Sequence, residues 1–142
     1  MSYQYKYPRP SVTADAVVIT RDGEPKLLLI ERGGEPFRGC WALPGGFLNM
    51  DETTEQCALR ELDEETGLSL HGPRLIGCYS AVDRDPRGRT ISLAYLLRVD
   101  TELPVCGHDD AAMAQWWSLS ALPTLAFDHA QIVADAVKII QP

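Results

Sequence analysis

Between residues 32 and 67 the sequence changes character. Residues 32–46 carry Gly33, Gly34, Pro36, Gly39, Pro44, Gly45 and Gly46, a density of breakers that no helix or long strand tolerates. Residues 53–66 contain none; Asp51 or Thr53 is available to cap their start, and Gly67 follows as a helix-closing residue. A glycine-rich loop, with one short strand at residues 40–43, therefore leads into a helix of about three to four turns.

Around this unit the β-rich runs 12–20 (VTADAVVIT) and 26–31 (KLLLIE) flank the turn-forming Arg21-Asp22-Gly23-Glu24-Pro25 and read as a hairpin. Residues 74–82 and 90–99 are strand-like and joined by a charged turn from Asp83 to Arg89, and residues 115–119 make a short strand. A last helix spans about residues 128–140, with Ile132, Val133, Ala136, Val137 and Ile140 on one apolar stripe. Two helices among these strands predict an α/β domain with a mixed sheet, the helices on opposite faces. With 142 residues the chain has the length of one domain, expected over residues 1–142.

The first helix is badly composed for stability. Arg60-Glu61-Leu62-Asp63-Glu64-Glu65 puts carboxylates at its C-terminal end, where each opposes the helix dipole by about 0.3–1 kcal/mol. On a helical projection with Glu61 at the origin, Glu64 falls at about −60° and Glu65 at about +40°, so three carboxylates share one arc. Ala58, Leu59 and Leu62 form the buried edge and Asp63 points elsewhere. Clustered anionic oxygens on a rigid element suit a hard cation such as Mg²⁺ or Mn²⁺. Arg60 stands one turn before Glu64 and can orient it, and Glu52 is placed to pair with Arg60. The backbone of Pro44-Gly45-Gly46 can approach a phosphate or a metal closely.

Charge distribution agrees. Thirteen basic and twenty acidic residues give a net charge of −7, of which residues 46–68 alone supply −6. That balance disfavours binding to nucleic acid or to an anionic membrane, and an anionic ligand needs a cation brought in with it. Cys40, Cys57, Cys78 and Cys106 form no C-x-x-C pair, against a zinc ribbon or finger. Residues 1–10 are rich in Tyr and Pro without the apolar core of a signal peptide, so a cytoplasmic setting with reduced cysteines is expected, and no apolar run has the length of a membrane span.

Gly46, Glu52 and the run Arg60-Glu61-Leu62-x-Glu64-Glu65-x-Gly67-Leu68 match the Nudix box G-x5-E-x7-R-E-U-x-E-E-x-G-U at each of its nine specified positions. Outside this box at 46–68, the strand leading to Trp41-Ala42-Leu43-Pro44-Gly45-Gly46, the turn at 83–89 and the closing Trp116-Trp117 strand with its helix are similar to bacterial Nudix hydrolases of the ADP-ribose pyrophosphatase-like group. The resemblance implies an α/β/α sandwich with a mixed β-sheet between helices, and hydrolysis of a nucleoside diphosphate linked to another group with Mg²⁺ or Mn²⁺. It further implies metal ligation by Glu61, Glu64 and Glu65, one of them alternatively the base, with Gly45 or Gly46 contributing backbone contacts to the metal and to substrate. Arg60 and Glu52 would be orienting residues.

A base outside the box is common in such enzymes, and Asp109 and Asp110, between flexible neighbours, are the candidates, with Asp110 preferred; the plain alternative is two solvated loop aspartates. Arg32, Arg84 and Arg87 are candidates for substrate phosphate or ribose, against the alternative of surface charges, and Arg89 belongs to the same turn. His129 and Trp116-Trp117 read as packing residues rather than stacking ones. The leading expectation is cleavage of ADP-ribose or a related nucleotide sugar to AMP and a phosphosugar, a reading to which Pro86 adds slight support. Alternatives are hydrolysis of an oxidised nucleoside triphosphate and, further off, an ADP-ribose-sensing regulator; regulators of this kind usually carry a winged helix and have lost box residues, whereas this chain keeps every box glutamate and ends after its last helix. Relatives of the group often dimerise, so a homodimer is expected.

Overall fold

In the computed structural model, which describes residues 2–108 and 111–141, ten residues of apolar strand set the architecture. Strand β1 (Ser11–Thr20) runs parallel to β6 (Thr90–Val99) along its whole length. Its other edge is divided: β2 (Lys26–Arg32) meets it at Ile19, and β4 (Gly45–Phe47) pairs with Thr13, Ala14 and Asp15. Strands β1 and β2 therefore splay apart, and β3 (Trp41–Ala42), paired with Ile30 and Glu31 of β2, enters the wedge together with β4. Strand β7 (Ala111–Ser118) covers the remaining edge of β2, and β5 (Arg74–Tyr79) forms an antiparallel hairpin with β6.

Alternation along β1 and β2 feeds two cores. Val17, Ile19, Leu27 and Leu29 pack against Ile132, Val133 and Ala136 of α2 (His129–Ile140), whereas Ala16, Val18 and Leu28 face Leu62 of α1 (Thr54–Thr66). The helices thus lie on opposite faces of a mixed seven-stranded sheet, the expected α/β/α sandwich.

Helix α1 begins and ends where the sequence signals place it. Thr53 is the cap: its hydroxyl accepts from Gln56 N–H at 3.1 Å and Gln56 Oε1 accepts from Thr53 N–H at 2.8 Å. Gly67, at φ +81°, closes the helix by donating to the Asp63 carbonyl at 2.8 Å. Two expectations need correction. The glycine-rich loop contains β4 as well as a strand near residue 41, because β1 supplies its edge as partner. The last strand starts at Ala111, not 115, since β2 offers pairing from Lys26 to Arg32. No helix among the described residues is long and apolar enough to cross a membrane.

Candidate active site

The wedge between β1 and β2 opens into a cleft of about 680 Å³, and its lining joins segments distant in sequence. Glu61 and Glu65 come from α1, Gly45, Gly46 and Phe47 from β4, and Arg32 from the end of β2. Arg84, Asp85 and Arg87 come from the turn before β6, Phe127 from the loop that enters α2 and His129 from its first turn. Among the residues singled out from sequence, Arg32, Gly45, Gly46, Glu61, Glu65, Arg84 and Arg87 share this lining.

The acidic end is built on the last turns of α1. Arg60 Nη1 donates to Glu61 Oε1 at 2.9 Å and to Glu64 Oε2 at 3.1 Å, and its Nε and Nη2 reach the two Glu52 oxygens at 2.9 and 2.7 Å. One guanidinium thereby restrains two helix carboxylates and ties them to the loop before the helix. Glu52 also accepts from Asn49 N–H, and with Arg60 beside it its carboxyl is held down to about 2. Burial pushes the Glu61 carboxyl above its ordinary value, against the opposing pull of Arg60.

Glu65 is buried and its Oε1 accepts from Gly45 N–H at 2.8 Å, which fastens helix to strand. Both glycines are required by close approach. A Cβ on Gly46 would stand 2.5 Å from the Glu61 carboxylate, and one on Gly45 would fall inside the Asp15 carboxylate. Cys57 completes the seam, its thiol donating to the Gly46 carbonyl at 3.5 Å and pushed up to about 12 by burial.

Among the described residues no three His, Cys, Asp or Glu side chains converge as a ligand set. The shared arc on α1 is resolved into separate partners: Glu61 and Glu64 lean on Arg60, Glu64 more exposed and off the cleft, and Glu65 turns to Gly45. The donor set is nevertheless of hard carboxylate oxygens on a rigid helix, with a glycine pair that leaves room beside Glu61, and this fits a divalent cation.

The opposite end is cationic and aromatic. Arg32 donates from Nε to the Pro36 carbonyl at 2.7 Å and lies 5.0 Å over the Phe127 ring. Arg87 is clamped by Asp85 at 2.7 Å and lies 4.9 Å from the Phe47 ring and 5.3 Å from Phe127. Phe127 and Phe37 meet edge to face at 4.8 Å, both with positive φ, +52° and +62°; these are conformations that a bulky side chain adopts only when its surroundings impose them. Arg84, although in the lining, is buried and bidentate on Asp128 at 2.8 and 2.6 Å, so it braces the start of α2.

On the floor, Asp15 accepts from Ser92 Oγ at 2.5 Å, and His129 Nδ1 accepts from Leu43 N–H at 3.0 Å. Burial pulls the His129 imidazole below its ordinary value, so the ring is neutral near pH 7 with its proton on Nε2. Sequence reasoning passed over Asp15, Phe47 and Phe127 and read His129 as packing. The available signal for Asp15 was a carboxylate inside an otherwise apolar strand. Trp116 and Trp117 sit in the two cores instead of the cleft. Asp109 and Asp110 lie outside the described residues; before them, His108 N–H donates to the Glu65 carbonyl at 3.1 Å, and after them Ala111 lines the cleft.

A profile of the NUDIX domain matches residues 9–136. The chain is 44% identical over 132 residues to an ADP-ribose pyrophosphatase of Methanocaldococcus jannaschii, covering 93% of this chain and 76% of that one. It is 32% identical over 135 residues to an ADPR-responsive transcriptional repressor of Acinetobacter baylyi, covering 92% of this chain and 54% of the relative, about half its length. The NUDIX domain of Shewanella oneidensis NrtR, cocrystallised with ADP-ribose, superposes with a TM-score of 0.89 at 31% identity, over 98% of this chain and 94% of that one.

Proposed function

The chain belongs to the Nudix hydrolase family, and from that premise we propose that it cleaves the pyrophosphate bond of a nucleoside diphosphate derivative, ADP-ribose or a close nucleotide sugar, with Mg²⁺ or Mn²⁺. The observation that carries this reading is the polarity of the cleft. Carboxylates and a glycine backbone form one end, and two arginines over aromatic rings form the other. A substrate with a charged diphosphate between two larger groups matches such a site.

In this reading Glu61, Glu64 and Glu65 would hold the divalent ions, with the Gly45-Gly46 backbone beside them. Bound there, a divalent ion would supply positive charge against the diphosphate oxygens and lower the pKa of a water so that it can be deprotonated to the nucleophile. The chain's own groups do the remaining work. Arg60 keeps Glu61 and Glu64 from collapsing onto other partners, and Glu52 fixes Arg60. Arg32 and Arg87 hold the substrate, Gly45 N–H orients Glu65, and Asp110 is the proposed base. No covalent nucleophile is needed.

The repressor among the relatives favours a second reading, in which the cleft holds ADP-ribose without cleaving it. The retained glutamates of α1 favour hydrolysis. A single catalytic domain, a small-nucleotide substrate, a cytoplasmic setting and a homodimer complete the proposal. The test is product analysis with ADP-ribose, NADH, dinucleoside polyphosphates, sugar nucleotides and deoxynucleoside triphosphates, each with Mg²⁺ and with Mn²⁺. AMP from ADP-ribose is expected. Pyrophosphate released from a damaged triphosphate, with ADP-ribose untouched, overturns the substrate, and tight ADP-ribose binding without turnover supports the sensor.

A further inference from the structure

Asp15 is hard to explain as structure. It is a buried carboxylate midway along a strand whose following residues are buried and mostly apolar; among the described residues it has one hydrogen-bond donor, the Ser92 hydroxyl on Oδ2, and feels the Arg84 guanidinium only through charge. A carboxylate buried with so few partners is costly. Its other oxygen, Oδ1, faces His129 Nε2 at 3.9 Å, and both residues line the cleft.

That separation is too long for a hydrogen bond. It is suited to one oxygen between the two groups, about 2.8 Å from each. The two ends also differ in kind. With Nδ1 occupied by Leu43 N–H, the neutral imidazole presents a donor at Nε2, and Asp15 presents an acceptor. An atom between them must donate and accept at once. A hydroxyl does both, whereas a phosphate oxygen is repelled by Asp15 and a base carbonyl has no proton to give. Both side chains are set on regular elements, β1 and the first turn of α2, and α2 is further braced by the Arg84–Asp128 pair. Gly45 lacks a Cβ where Asp15 stands, so the carboxylate has a place kept for it.

We propose that Asp15 and His129 form a hydroxyl-reading pair on the cleft floor, taking one ribosyl hydroxyl of the substrate between carboxylate and imidazole. The proposal rests on a ribose-containing nucleoside diphosphate being the substrate. It makes these two residues determinants of specificity, separate from the carboxylates of α1.

The test is the hydrolysis of ADP-ribose and of analogues in which each ribose hydroxyl in turn is replaced by hydrogen, by wild type, H129N and D15N. An Asn amide oxygen can still accept from Leu43 N–H but offers no donor at the Nε2 position. For wild type, loss of one particular hydroxyl is expected to lower kcat/KM about 10- to 100-fold. In H129N and D15N that penalty should disappear, the deoxy analogue reacting like its parent. Indifference of wild type to every hydroxyl, or an equal loss on all substrates in both variants, overturns the pair. If H129N does not fold, the D15N comparison decides alone. If wild type releases no AMP from ADP-ribose, the substrate reading fails instead. The same deoxy series on the nucleotide that is cleaved then decides the pair by the same criterion.

Discussion

Arg60 and Glu52 are joined by two hydrogen bonds, 2.9 and 2.7 Å long, which tie the middle of α1 to the loop that precedes it. The same guanidinium holds Glu61 and Glu64. Replacing Glu52 by Gln should destabilise the fold by about 1–3 kcal/mol near neutral pH, because a partly buried charge loses its counterion. The Glu52 carboxyl lies well below its ordinary 4.5, so it stabilises the fold fully above pH 4.5 and loses that effect as the pH falls towards 2. Thermal melts of wild type and E52Q should therefore differ above pH 4.5 and converge towards pH 2.

Glu64 is different in kind. It is exposed, sits where the helix dipole disfavours a carboxylate and gains one ion pair with Arg60. These effects oppose each other, so E64Q should change stability by less than about 0.5 kcal/mol while lowering divalent-metal affinity and turnover at least about 10-fold. Calorimetric Mn²⁺ titration beside a melting curve separates the two effects.

Gly46 has no Cβ because the Glu61 carboxylate stands there. G46A should leave Tm within a few degrees of wild type and cut kcat/KM about 100-fold, as Glu61 is displaced by a fraction of its own size. A variant of full activity would mean that Glu61 needs no such approach.

Arg87 lies between Phe47 and Phe127, anchored by Asp85. Lysine keeps its charge but loses the planar stack and the paired hydrogen bonds. R87K should raise KM for ADP-ribose about 10-fold and leave kcat within about twofold, as expected for a group that binds ground state and transition state alike.

Much of the fold was legible because its signals are local. The breaker-free run 53–66, with Asp51 or Thr53 to cap it and Gly67 to close it, marked α1; β-rich runs between turn residues marked the long strands, and an apolar stripe marked α2. The features missed depend on distant partners. Gly45 and Gly46 become a strand only because β1 offers an edge, and Phe127 becomes a cleft wall only when Arg32 and Arg87 are brought over its ring. The Nudix box announced Glu61, Glu64 and Glu65 as a set, yet their hydrogen-bond donors differ: two accept from the Arg60 guanidinium and the third from a backbone amide of β4. That division belongs to tertiary packing. Asp15 and His129 lie 114 positions apart, and nothing in either segment alone says that they face one another.

Whether the α1 carboxylates serve hydrolysis of the diphosphate is decided by steady-state release of AMP from ADP-ribose with Mg²⁺, comparing wild type with E65Q. Gln can still accept from Gly45 N–H, so the helix–strand seam should survive and Tm should change little. Turnover should fall by about 100-fold or more with ADP-ribose binding largely retained. E65Q turning over ADP-ribose at the wild-type rate would mean that the Glu65 carboxylate has no part in hydrolysis.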